Sequence, residues 1–128
     1  MSTAAKGKKI LIVDDEPSIV LSLEFLMEKA GYTVFTAGDS ESAMDKARAE
    51  KPDLVLLDIN LPGRSGFEIC QSMRENPEWK DVRIVMLTAK GRDVDREKGF
   101  AMGADDYITK PFSTQEVVDT ISRLIDNE

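Results

Sequence analysis

Three unbroken apolar runs, Ile10 to Val13, Leu54 to Leu57 and Ile84 to Leu87, restrict this chain more than any other feature. None alternates with polar residues, so none suits a strand with one wet face; each fits a parallel strand covered on both sides. Two weaker runs with polar residues mixed in, Thr33 to Thr36 and Asp106 to Ile108, predict edge strands. Between the runs lie stretches with helical spacing and clear start and stop signals. The first opens at Pro17, turns Ile19, Leu23, Met27 and Ala30 to one side, and stops at Gly31. A second starts near Asp39 or Ser40, faces Ala43 and Ala47 inward, and ends before Pro52. Ser65 with Glu68 predicts a capping box for a third, which runs to about Glu75 and closes at Asn76 and Pro77. Ser113 with Glu116 repeats that signature ahead of Val117, Ile121, Leu124 and Ile125. The fourth helix, near Arg92 to Met102, is the poorest, because Gly99 lies inside it and its apolar stripe is thin. It reads as the element most easily displaced.

Alternating strands and helices predict an α/β fold, a doubly wound five-stranded parallel sheet with five helices distributed over both faces. In the flavodoxin-like order 2-1-3-4-5 the ligand crevice lies between strands 1 and 3, at their C-terminal ends. Asp14 and Asp15 follow strand 1 and Asp58 follows strand 3. Neighbouring strands are about 4.8 Å apart, so the three carboxylates would share a pocket. Thr88 exits strand 4, and Lys110 exits strand 5 on a stem long enough to reach back. The order 3-2-1-4-5-6 would carry Asp58 two strands away from the acidic pair and dissolve the cluster. With 128 residues the chain supplies one domain, spanning 9–128 after a flexible N-terminus of 1–8.

Composition removes several functions. Histidine is absent, which excludes Ser-His-Asp and Cys-His catalysis and the usual zinc sites. The single cysteine, Cys70, permits no internal disulfide and reads as a packing residue. A net charge of -7 repels phosphate backbones and anionic membranes, so neither nucleic acid nor membrane is expected as a direct partner. No run approaches the roughly 18 apolar residues that cross a bilayer, and no signal-peptide core precedes the first strand; a cytoplasmic location is expected. Trp79 reads as a partly buried loop aromatic. What remains is chemistry run by carboxylates, hydroxyls and amines. Like charges a few ångströms apart raise one another's pKa, and a hard divalent cation relieves that penalty. Mg2+ is apt, because it takes one or two carboxylates and binds phosphate oxygens directly. A carboxylate can attack phosphorus to give an aspartyl phosphate, and phosphoryl transfer then needs alignment and charge neutralisation from metal, ammonium and hydroxyl groups.

Four segments together resemble the receiver domain of bacterial two-component response regulators, of which the chemotaxis regulator is the single-domain form. They are Ile-Leu-Ile-Val-Asp14-Asp15-Glu16-Pro17, Leu-Val-Leu-Leu-Asp58-Ile-Asn60-Leu-Pro62-Gly63, Met-Leu-Thr88-Ala89 and Tyr107-Ile-Thr-Lys110-Pro111-Phe112. The likeness runs from Lys9 to Ile125. It implies that Asp58 is the phosphoacceptor, and that Asp15 and Asp58 hold magnesium through their carboxylates and Asn60 through its backbone carbonyl. Asp14 would assist through the metal's hydration shell. Lys110 would bind one phosphoryl oxygen and Thr88 would donate to another, moving inward as it does so. Tyr107, beside the weak fourth helix and ending the strand next to Thr88, would then change rotamer, with helix 4, strand 5 and helix 5 as the output surface. Asn60 and Lys90 flank the line of water attack and would tune the phosphoryl lifetime. The Lys110-Pro111 bond is a candidate cis peptide.

The same likeness implies a histidine kinase or histidine phosphotransfer protein as donor, a downstream protein as target, and a monomer or a phosphorylation-dependent homodimer. It implies no enzyme acting on outside substrates, only self-phosphotransfer and autodephosphorylation. Since the chain ends after the fifth helix, it acts alone or is a fragment. Two alternatives are weighed against this. A small Mg2+-dependent phosphohydrolase with an aspartyl nucleophile would want a second acid two residues beyond Asp58, where Asn60 stands. A non-phosphorylated interaction module with a vestigial pocket would have no need of Asp58, Thr88 and Lys110 together. A nucleotide-binding module is disfavoured, because Asp14-Asp15-Glu16-Pro17 occupies the place of a glycine-rich turn.

Overall fold

The computed structural model describes residues 7–89 and 93–126. Its strands are β1 (Lys9–Val13), β2 (Thr33–Ala37), β3 (Leu54–Asp58), β4 (Arg83–Ala89) and β5 (Asp106–Lys110). The helices are α1 (Pro17–Lys29), α2 (Ser40–Glu50), α3 (Gly66–Glu75), α4 (Asp93–Ala101) and α5 (Thr114–Ile125), with a short 3-10 helix at Pro77–Trp79. All strand pairs are parallel and the order is β2-β1-β3-β4-β5, as the sequence predicts.

The apolar runs are continuous because successive side chains face opposite layers and both layers are dry. Leu11, Val13, Val55, Leu57, Ile84 and Met86 point to one side, where α2 brings Ala43 and Ala47 and α3 brings Phe67, Ile69, Cys70 and Met73. Ile10, Ile12, Leu54, Leu56, Val85 and Leu87 point to the other, against Leu23 and Met27 of α1 and Val117 and Ile121 of α5. Cys70 is fully buried, a packing residue. The α4 helix approaches the α3 side through Gly99, where an added Cβ would lie 3.3 Å from Met86 Cγ. Among the described residues no helix is long and apolar enough to cross a membrane.

Several local expectations change in detail. Ser65 and Glu68 form the full reciprocal capping box, whereas at α5 Ser113 Oγ accepts the Glu116 N–H at 3.1 Å. Trp79 is buried at 6% exposure within the 3-10 helix rather than half-exposed in a loop, because Asn76 caps that turn and folds the ring onto the α3 side of the core. The last strand continues to Lys110, so Tyr107 is its second residue and not its end. Lys110-Pro111 is cis. Most of the expected flexible N-terminus, the start of the fourth helix near Arg92, and Lys90 lie outside the described residues.

One long-range clamp holds the edge of the sheet opposite the acidic groups. Arg74 of α3 donates from Nε to the Gly103 carbonyl (2.7 Å), from Nη1 to the carbonyls of Val82 (2.8 Å) and Trp79 (3.2 Å), and from Nη2 to Asp105 Oδ2 (2.7 Å). Asp105 also accepts the Ile84 N–H at 2.8 Å. One guanidinium therefore ties the α4–β5 turn to the start of β4. Replacing Arg74 by Ala strands these acceptors, and urea unfolding should show a loss of about 3 kcal/mol; a loss below about 0.5 kcal/mol would mean that water takes over the guanidinium's role.

Candidate functional site

Register places the carboxylates together. Val13 pairs with Leu57, so Asp14, the next residue, stands beside Asp58. Asp58 in turn pairs with Leu87, which sets Thr88 just beyond it on the far side. Asp14 (1% exposed) and Asp58 (6%) are buried and Asp15 is exposed; one oxygen from each lies within 4.8 Å of the others. Lys110 reaches back from β5, with Nζ 2.8 Å from Asp14 Oδ2, 3.6 Å from Asp58 Oδ1 and 3.6 Å from Glu16 Oε1. Asp14 Oδ1 accepts the Glu16 N–H at 2.9 Å, which shapes the turn into α1 in place of a side-chain N-cap. The Asn60 N–H donates to Asp58 Oδ1 at 3.3 Å.

These distances determine the charge balance. Burial first, and the nearby Asp14 second, push Asp58 up to about 6, against the opposing pull of Lys110 and the Asn60 N–H. Burial works against the Lys110 ammonium, but its bond to Asp14 and the charges of Asp58 and Glu16 outweigh it and hold Lys110 above the ordinary lysine value. Three carboxylates against one ammonium leave two negative charges in a partly dry pocket. Oxygen donors in that state suit a hard divalent cation, which would cancel the excess and restore Asp58 to full ionisation. The exposed Asp15 opens the cluster to solvent, so an ion can enter.

Thr88 is 4% exposed, and its hydroxyl has no hydrogen-bond partner among the described residues. It lines a narrow crevice together with Tyr107, Met86, Gly99 and Phe100. The Tyr107 ring is half-buried, with the Arg96 guanidinium 4.2 Å from its centroid and Phe100 edge-on at 6.0 Å. Thus Asp14, Asp15, Asp58 and Lys110 meet in one pocket, Asn60 touches it through its backbone, and Thr88 connects it to the crevice that holds Tyr107.

Two residues that the sequence reading passed over belong to this region. Glu16 contacts Lys110; nothing in its position after the acidic pair distinguished it from a solvated first-turn acid. Gly66, the first residue of α3, packs so closely on the end of β3 that a Cβ there would strike the Asp58 carbonyl oxygen and sit 2.9 Å from Ile59 Cα. Its signal was available, since glycine opening a helix next to a good cap usually marks a close backbone approach.

The response regulator receiver domain model matches residues 10–122 of the chain. The alkaline phosphatase synthesis transcriptional regulatory protein PhoP of Bacillus subtilis (strain 168) is 51% identical over 111 residues, 87% of this chain and 45% of PhoP. The chain thus spans somewhat less than half the length of that relative. Chemotaxis response regulator CheY4 of Vibrio cholerae superposes with a TM-score of 0.88 at 33% identity, covering 93% of this chain and 99% of CheY4. The receiver domain of sensor histidine kinase PA1611 from Pseudomonas aeruginosa PAO1, with a magnesium ion coordinated in its active-site cleft, gives a TM-score of 0.85 at 31% identity, covering 93% and 98%.

The charge balance has a measurable consequence. Asp58 titrates near 6 in the folded chain against an ordinary 3.8. The folded state therefore keeps a proton that the unfolded chain has lost, and this group's contribution favours folding below pH about 4 and is lost as the pH rises through about 6. Without divalent cations, Asp58→Asn should melt higher than the parent by about 4 °C, or ~1 kcal/mol, at pH 7, with the gap closing towards pH 4. A gap that is the same at both pH values would contradict the shift.

Proposed function

The chain belongs to the response regulator receiver domain family, and from that premise we propose that it is a magnesium-dependent phosphorylation switch, with Asp58 as the phosphoacceptor. The observation that carries this reading is a buried carboxylate at a strand end, with two further acids beside it and an ammonium 3.6 Å away that also binds one of them. Magnesium, held by Asp15 and Asp58 and the Asn60 carbonyl with Asp14 assisting through water, supplies charge neutralisation to the carboxylates and to the phosphoryl oxygens.

An ionised Asp58 oxygen attacks the phosphorus of a phosphohistidine presented by a histidine kinase or phosphotransfer protein. The oxygen–phosphorus bond forms as the phosphorus–nitrogen bond breaks, and the electron pair leaves with the donor's imidazole. Lys110 meets one phosphoryl oxygen with little displacement. The unpaired Thr88 hydroxyl donates to a second oxygen, which gains the partner it lacks and draws the side chain inward. The space it vacates in the crevice admits the Tyr107 ring, which exchanges its Arg96 and Phe100 contacts on α4 for burial. The face formed by α4, β5 and α5 then differs between the two states, and a downstream protein or a second copy of the chain reads it. The donors place the protein in the cytoplasm. Asn60 and Lys90 tune how long the phosphoryl group persists.

Incubation with Mg2+ and acetyl phosphate should add one phosphoryl group by intact mass, and Asp58→Ala should add none. Lys110→Ala should slow the addition by at least about tenfold, the scale of one electrostatic donor. Sustained turnover of phosphomonoesters would instead favour a hydrolase, and no adduct at all would favour an interaction module. In the phosphorylated protein the α4 amide signals should shift, and Thr88→Ala should accept the group while losing that shift. Unmoved α4 signals in the parent would eliminate the Tyr107 switch.

A further inference from the structure

We infer that Ser40, which offers no ligand, is the positioning residue that fixes the loop half of the cation site; the inference rests on the reading of that site proposed above. The pocket is built in two halves, one where Asp14 and Asp15 leave β1 and one in the β3–α3 loop with Asp58 and Asn60. The β2–α2 turn bonds to both. On one side the Asp14 N–H donates to the Ala37 carbonyl at 3.1 Å. On the other, Ser40, the first residue of α2 and 7% exposed, directs its own N–H to the Pro62 carbonyl (3.4 Å) and accepts the Arg64 N–H on its hydroxyl (3.1 Å).

The residue between those two contacts is Gly63, with φ of +91°. A Cβ at Gly63 would lie 2.5 Å from Ser40 Oγ, so the serine hydroxyl packs directly against the loop at Gly63. The base of the same loop is closed by the Gly66 N–H on the Ile59 carbonyl at 2.8 Å. Asn60 therefore sits on a short span anchored at one end by Ile59 and Gly66 and at its crest by Ser40. Ser40 is itself held by the α2 cap, in which Asp39 Oδ1 accepts the Ser42 N–H at 2.7 Å. Taking the hydroxyl away leaves the part-buried Arg64 N–H without this acceptor and opens space beside Gly63. The Asn60 carbonyl then loses its fixed distance to Asp15 and Asp58. Groups that orient ligands without touching the ion affect affinity on a scale of about tenfold or more.

Calorimetric Mg2+ titration of the parent, Ser40→Ala, Ser40→Thr and Asn76→Ala tests this. Asn76 caps the 3-10 helix at the opposite edge of the sheet, where its side chain accepts the Glu78 N–H at 3.0 Å, and serves as a control for a purely structural loss. Ser40→Ala should bind Mg2+ about tenfold more weakly, and Ser40→Thr, which keeps the acceptor, should recover most of the affinity. Asn76→Ala should lower the melting temperature without moving the affinity. With acetyl phosphate, Ser40→Ala should be slow at low Mg2+ and approach the parent rate at saturation. The inference is overturned by a Ser40→Ala affinity equal to that of the parent, by Ser40→Thr as weak as Ser40→Ala, or by a Ser40→Ala rate deficit that saturating Mg2+ does not repair. If the parent bound no Mg2+, the proposed function would fail and this inference with it; a parent that binds beside an unaffected Ser40→Ala would sink the inference alone.

Discussion

The ion pair between Lys110 and Asp14, 2.8 Å long and reaching from one edge of the sheet to its centre, is what allows three carboxylates to stand together at the strand ends. Without an ammonium there, burying Asp14 and Asp58 side by side would cost more than the surrounding core could comfortably offset. With it, the cluster keeps two uncancelled charges, enough to attract a divalent cation and too few to unfold the sheet. The same lysine lies 3.6 Å from Asp58, so one ammonium faces both buried carboxylates.

Around that pocket the molecule divides into firmly and loosely held parts. The three central strands are sealed on both faces, and α1, α2, α3 and α5 each bury a definite stripe against them. Arg74 fastens the α4–β5 turn at its base, so the C-terminal end of α4 is anchored. The body of α4 has little apolar purchase, with Val94 at 66% and Phe100 at 45% exposure, and it approaches the sheet through a glycine. A helix fixed at one end and lightly packed along its length is the element that a small movement at Thr88 can displace at least cost. The Thr88 hydroxyl, without a partner among the described residues, and the crevice beside it lie between the acidic cluster and this lightly packed helix.

Local patterns were legible wherever a short stretch carried its own reason for folding. Continuous Val, Ile and Leu runs could only be buried parallel strands, Ser65 with Glu68 could only open a helix, and Gly99 marked α4 as weak. Asp14, Asp15 and Asp58 converge in the order β2-β1-β3-β4-β5, and their shared chemistry was the reason to prefer that order. Trp79 was misjudged because a ring two residues after a proline looks like a loop residue until the turn capped by Asn76 is seen to fold it inward. Arg74 carried no pattern of its own, Ser40 read only as a helix start, and the glycine at the head of α3 did not say what it approaches, since each acts on backbone groups outside its own element: Arg74 on Gly103 and Val82, Ser40 on Pro62 and Arg64, Gly66 on Asp58 and Ile59.

By itself, then, the sequence determined which segments are strands and helices and which polar residues stand at strand ends, because hydrophobic periodicity and capping chemistry act over a few residues, and it favoured one strand order only through the carboxylates that this order brings together. Only the tertiary structure decided that Lys110 binds Asp14 more closely than Asp58, that burial pushes Asp58 up to about 6, that the buried Thr88 hydroxyl has no partner among the described residues, and that Ser40 bonds to the loop after Asn60. Those outcomes turn on ångström-scale separations and on which groups lose water, and both come from how the packed elements meet.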